Sequence, residues 1–283
     1  IVLRLTEDIT ASGLPEGFKG AEGRHITLES GKITDSDGRQ TVPDDSLHYE
    51  IKIHSDGLVG DVTLDNVKVY GTIYANGHRF ETTQDFTTGR DYNVSYNNNT
   101  YIYGGSKTQS VASTELIING GAFNYIYGGG NKQDVSGDTK VTLGASMSAS
   151  MVYGGGSEGN VAGNVYMELN GDTATGYTFG SVFGGGYAGK SVNKGCVGGN
   201  ITLNFNSGSA GSIHGGGSGD SANIETAAKV SGTIRVKIGD QSKFGPGKDI
   251  KGATVTATTF YGGGASSACQ DIEVVIENGA YLV

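Results

Sequence analysis

The chain has 283 residues, with 50 Gly, 3 Pro, 15 Tyr, 9 Phe and no Trp. Glycine is not strictly every third residue and proline is scarce, which excludes collagen; the many rings and β-branched residues exclude a disordered chain. The net charge is −9, with no basic patch long enough to track a phosphate backbone, so no nucleic acid is expected as a partner.

The first segment alternates, with Ile1, Leu3 and Leu5 on one side and Val2, Arg4 and Thr6 on the other, and reads as a half-buried strand. Ile26-Thr27-Leu28 reads as a second. Between about Thr34 and Ser46 an Asp-rich stretch (Asp35, Asp37, Asp44, Asp45) reads as a loop. Strand signal returns at Tyr49, Ile51 and Ile53. Val62, Leu64, Val67, Val69, Ile73 and Tyr74 form a strand–bend–strand unit, broken at Asp65-Asn66 and Gly71 and ended by Gly77. The stretch from about Arg79 to Thr100 is polar, and Asn97-Asn98-Asn99 suits a turn.

From Tyr101 onward one phrase recurs: an apolar residue, a ring, then a glycine turn. Its copies are Ile102-Tyr103-Gly104-Gly105, Ile126-Tyr127-Gly128-Gly129, Val152-Tyr153-Gly154-Gly155, Val182-Phe183-Gly184-Gly185, Ile213-His214-Gly215-Gly216 and Phe260-Tyr261-Gly262-Gly263. The rings are 24, 26, 30, 31 and 47 residues apart, and such self-similarity marks a repeat architecture. After each turn comes a polar connector and a second piece that alternates apolar with polar. Val165, Met167 and Leu169 oppose Tyr166 and Glu168; Ile201, Leu203 and Phe205 oppose Thr202 and Asn204; Ile234, Val236 and Ile238 oppose Arg235 and Lys237. One face is buried and one is wet. No stretch keeps a helical period; 221–229 and 241–254 are candidates for short helical or irregular inserts.

A propeller blade needs four antiparallel strands per repeat, more than these spacings hold. A parallel solenoid, with one coil per repeat stacked on the last, fits better. It predicts columns of like residues. One is Ile102, Ile126, Val152, Val182, Ile213 and Phe260; the rings form the next, facing the other way; Val135, Val161, Val197 and Val230 form another. Corner glycine is expected to supply positive φ and close approach. The chain is thus expected to be all-β: a single-stranded parallel β-helix (solenoid) of about 8–10 coils. It reads as one domain over 1–283, with less regular coils in 1–60 and regular glycine-cornered coils in 61–283. Val283 follows a strand without a cap, so the chain reads as a piece of a longer rod.

These residues resemble the Gly-rich, Tyr-Gly-Gly-Gly-containing parallel β-helix proteins of bacterial cell surfaces, described as adhesin-like. The resemblance covers about Val62 to the end. It implies a pectin-lyase-like fold and an exported, secreted or surface-displayed rod with a structural or adhesive role. The implied partners are host or cell-surface glycans or proteins. It brings no catalytic residues, and no cofactor or metal is expected.

The ring column, Tyr103, Tyr127, Tyr153, Phe183, His214 and Tyr261, is the candidate ligand-binding feature. Rings stepping by about 4.8 Å either offer a flat platform to sugars or proteins, or stack on each other and shield the corner. Because polysaccharide lyases and glycoside hydrolases also use this fold, a carbohydrate-binding or carbohydrate-cleaving protein is the alternative. Paired carboxylates are the requirement there. Glu168 and Glu273 lie coils apart, Asp138 sits at a bend, and Asp61 with Asp65 and the Asp35–Asp45 loop are the only local clusters. Gly184–Ser191 matches a P-loop literally, but Val192–Gly199 does not continue as a helix, and sister corners lack Gly-Lys-Ser, so no nucleotide is expected. Gly154, Gly156 and Gly159 are a dinucleotide decoy for the same reason, and Asp220 follows Gly219 only once, short of a calcium-binding repeat. Cys196 and Cys269 are too few for a disulfide framework. They are expected to share a column at a separation too great for a bond, as free packed thiols. No run is long enough to span a membrane. The chain does not start with Met, so the lack of a leader says nothing about export.

Overall fold

The computed structural model describes residues 1–5, 16–30, 33–34, 40–41, 49–69, 71–88, 100–172, 178–239, 242–244, 255–277 and 280–282. Among them every regular element is a strand. Asp35, Asp37, Asp44 and Asp45, the Asn97–Asn99 turn and most of the 241–254 insert lie outside the described residues, as does the chain end at Val283, while Gln40–Thr41, read as loop in sequence, is a short strand.

A run of parallel pairs links Val2–Leu5, His25–Ser30, Asp61–Asp65, Arg79–Thr82, Thr114–Tyr127, Thr139–Tyr153, Val165–Asn170, Ile201–His214, Ile234–Ile238 and Ile272–Ile276, each to the next. The register puts Ile26, Val62, Phe80, Leu116, Val141, Met167, Leu203, Val236 and Val274 in one column. From Ile26 through Val236 all are buried. At about 25 cal/mol per Å² of apolar area, each such side chain contributes about 1.5–3 kcal/mol. The polar reading of 79–88 is corrected here: Phe80 gives this stretch a core residue, and Arg79–Thr82 is a strand of the main sheet.

The strands Thr114–Tyr127, Thr139–Tyr153 and Ile201–His214 are longer than the alternating pieces alone. Each bends and carries on into the next apolar–ring phrase, and the register shifts at the bend between Ile118 and Gly120. A second parallel row then pairs Ile73, Ile102, Ile126, Val152, Val182, Ile213 and Phe260 in turn. Further round, Val111, Val135, Val161, Val197 and Val230 bridge one another in sequence. A shorter parallel sheet joins Tyr49–Ile51, Val67–Val69 and Thr87–Thr88. Among the described strands Ile33–Thr34 and Gln40–Thr41 pair antiparallel, and Asn131 and Glu158 form an isolated antiparallel bridge. Residues 221–229 form turns rather than a helix, with Ala227 and Ala228 buried.

Two expectations are corrected. The Gly-Gly corners from Gly104 to Gly264 do not have positive φ; left-handed backbone sits instead a few residues past the corner, at Lys132, Glu158, Gly189 and Ser266. The glycines are required by contact. A Cβ on Gly104, Gly128, Gly154, Gly184 or Gly215 would overlap the carbonyl oxygen of the matching glycine in the next row. The cysteines also do not share a column. Val161 N donates to Cys196 O, whereas Val230 N donates to Ala268 O, so Cys196 precedes the valine position while Cys269 occupies it. Both thiols are free, and burial raises both above the ordinary thiol range.

Gly154→Ala is expected to destabilise the protein by about 1–3 kcal/mol or more, since the added carbon meets backbone that cannot swing away. Gly262→Ala places the same carbon against the Ile272 and Val274 methyls at 2.9 and 3.2 Å and should cost clearly less. Urea-denaturation midpoints of the two variants against wild type check the order.

Candidate functional site

The ring column begins one row earlier than the sequence phrase suggests, at Tyr74, whose turn is Ala75-Asn76-Gly77 rather than a glycine run. Its centroid separations are 5.1 Å from Tyr74 to Tyr103, 4.9 Å to Tyr127, 5.0 Å to Tyr153, 4.8 Å to Phe183, 4.5 Å to His214 and 4.6 Å to Tyr261. Interplanar angles stay between 4° and 12°. Parallel strands impose this geometry: their spacing of about 4.8 Å is close to the separation at which offset rings attract.

The column points away from the aliphatic core yet is largely covered. Tyr103, Tyr127, Tyr153 and Phe183 are buried, flanked by Tyr101, Tyr125, Met151 and Tyr187. Tyr101 and Tyr125 form a parallel stack of their own at 5.2 Å. The open platform is therefore corrected: each inner ring spends both faces on its neighbours. Of the six rings expected to bind a ligand, Tyr261 is the exposed one, at 52%. Burial, and then the neighbouring phenols, push Tyr103 and Tyr127 far above the ordinary phenol range; burial does the same to Tyr153.

His214 lies between Phe183 and Tyr261, and its buried Nδ1 has no hydrogen-bond partner. Burial lowers its basicity. Folding thus favours the neutral ring, and the unfolded chain takes up the proton first. Stability should hold above the ordinary histidine value of 6.5 and fall as pH drops below it. His214→Phe should remove this component. The check is the difference in melting temperature between variant and wild type, which should widen in the variant's favour between pH 7 and pH 5.

The carboxylates singled out in sequence that lie within the described residues have structural partners. Asp61 Oδ1 accepts from Arg79 N at 2.9 Å and Asp65 Oδ1 from Thr83 Oγ1 at 2.7 Å. Asp138 opens a ladder that sequence reasoning missed. Its Oδ1 accepts from Asn164 N at 2.7 Å, Asn164 Oδ1 accepts from Asn200 N at 2.9 Å, and Asn200 Oδ1 accepts from Thr233 N at 2.9 Å. The recurring Asx before the alternating piece was its visible signal. Thr114 and Thr139, both buried, donate their hydroxyls to the carbonyls of Gly128 and Gly154. Glu273 pairs with Arg235 at 2.7 Å, and Glu168 Oε1 accepts from Asn206 at 3.1 Å. The two glutamates stand in different rows and are not brought together as an acid–base pair.

The P-loop look-alike is engaged elsewhere. Gly184 N, Gly185 N, Tyr187 N and Ala188 N donate to His214 O, Gly216 O, Gly156 O and Ser218 O, and Ser191 Oγ donates to Glu158. A phosphate cradle needs such amides free. Asp220 caps its own turn through Ala222 N and Asn223 Nδ2. Among the described residues no group of His, Cys, Asp or Glu side chains is placed to hold a metal ion, and no helix is long and apolar enough to cross a membrane. No protein-family model, curated protein or solved structure matches the chain.

Proposed function

We propose that the parallel rows are successive coils of a single-stranded β-helix, and that the chain is a non-enzymatic, surface-exposed scaffold with a structural or adhesive role. The observation that carries this reading is the use to which the chemistry-bearing groups are put. Among the described residues, corner amides, stacked rings, Asx side chains and most paired carboxylates bind the neighbouring row, and none of these converges on a common point. A chain that commits its polar groups to stacking is built to hold a shape and display a face. The resemblance to Gly-rich bacterial surface β-helices supports an extracellular or cell-surface setting, with glycans or proteins as partners.

Incubation with a panel of plant and host polysaccharides tests the reading. No reducing or unsaturated ends should accumulate above the level of a heat-treated control; their release by the purified chain overturns it. Hydrogen exchange tests the coil stacking separately. Protection should be greatest at Ile126, Val152 and Val182 and fall toward Phe260, because inner coils open only when both neighbours do.

A further inference from the structure

On the outer side of the main sheet, opposite charges answer one another from row to row. Arg79 lies 3.5 Å from Glu115, and Glu115 lies 3.0 Å from Lys140. Further along, Arg235 meets Glu273 and Lys237 meets Glu277, each at 2.7 Å. Between these two charged stretches the pattern stops. In register after Lys140 come Tyr166 and then Thr202, before Arg235 resumes. Alongside run Thr142, Glu168 and Asn204, before Lys237. These six side chains, from Lys140 to Asn204, line a depression of about 390 Å³, within the usual range for a small-ligand site.

Tyr166 is 43% exposed. It stands outside the stacked column, so its ring face is not spent on another ring. The polar groups around it are of mixed kind: two threonine hydroxyls, the Asn204 amide, and a carboxylate steadied by Asn206. Lys140, the one cation of the lining, is already paired with Glu115.

Resting on the scaffold reading above, we propose that this window binds a neutral oligosaccharide, with a pyranose ring stacked on Tyr166 and its hydroxyls held by Thr142, Glu168, Thr202 and Asn204. The chemistry selects this occupant. A sugar ring presents C–H groups on its faces and hydroxyls at its rim, which matches one exposed aromatic face ringed by groups that both donate and accept. A peptide adding as a strand needs an open sheet edge, but Val165–Asn170 is paired on both sides. A nucleic acid needs unpaired cations along its backbone. The rows at 140–142, 166–168 and 202–204 span about 10 Å, room for two sugar rings laid along the stack.

Calorimetric titration of the whole chain with neutral gluco-, xylo-, manno- and galacto-oligosaccharides tests this, with an oligogalacturonate as the acidic control. At least one neutral sugar should bind, and more tightly than the acidic one, which Glu168 repels. Tyr166→Ala should weaken that binding about tenfold or more, while Tyr166→Phe, which keeps the ring face, stays within about threefold. Asn204→Ala should weaken it as well. Tyr166 is exposed, so melting temperatures should not move. Failure of every neutral sugar to bind, or loss of binding in Tyr261→Ala but not in Tyr166→Ala, overturns the site and leaves the scaffold reading intact. Binding at Tyr166 followed by cleavage of the sugar overturns the non-enzymatic reading and leaves the site intact.

Discussion

The closeness of successive rows at the glycine corner is the constraint on which the rest depends. Where Gly154 passes Gly184, and Gly184 passes Gly215, there is no space for a β-carbon. Meanwhile Gly154 N donates to Phe183 O and Gly184 N to His214 O, so the corner backbone is hydrogen-bonded from row to row. Left-handed backbone comes just past these corners, at Lys132, Glu158 and Ser266 among others. A non-glycine residue there costs roughly 1–2 kcal/mol, which the surrounding ladder bonds offset. At these corners glycine answers to contact rather than to φ, while left-handed backbone elsewhere is shared between glycines such as Gly77 and Gly189 and ordinary residues.

Once the corner fixes the approach, like residues meet like, which suits some side chains and not others. Aliphatic residues and rings gain from it, as the unbroken run from Tyr74 to Tyr261 illustrates. Like charges directly opposite repel; Glu29 does stand opposite Asp65, but along the later rows the chain avoids such pairs in two ways. Glu115 is placed between Arg79 and Lys140, and Glu273 opposite Arg235. In the Asx ladder one carboxylate, Asp138, is followed by Asn164 and Asn200, whose amides keep the accepting oxygen without the charge.

Much of this was legible in sequence. An all-β chain with parallel strands follows from period-two pieces separated by glycine phrases, and the ring and valine columns could be written down from spacing alone. What escaped were features carried by position rather than residue type. Tyr74 was missed because Ala75-Asn76-Gly77 does not look like the other corners. Arg79–Thr82 was missed because one buried Phe80 among polar neighbours is a faint signal. Cys269 was misplaced because it substitutes for valine in its column, and a one-residue offset cannot be settled without the register. The burial of the rings was undecidable from the column itself. It is set by Tyr101, Tyr125, Met151 and Tyr187 beside it.

An arrangement of this kind also dictates where specificity can reside. Each row reproduces the one before, so a regular stretch presents a repeating surface with no preferred point. Recognition of a discrete ligand has to come from a place where the repetition lapses. On the outer side of the main sheet it lapses between Lys140 and Arg235, where Tyr166 and Thr202 interrupt the exchange of charges. That interruption costs little, because each exposed ion pair forgone is worth at most about 1 kcal/mol. It leaves an uncovered ring among hydroxyls, an amide and the Glu168 carboxylate, on a backbone paired with strands on both sides. A stack of this kind can thus acquire selectivity through a few outward substitutions, because alternate residues of each strand face away from the buried column.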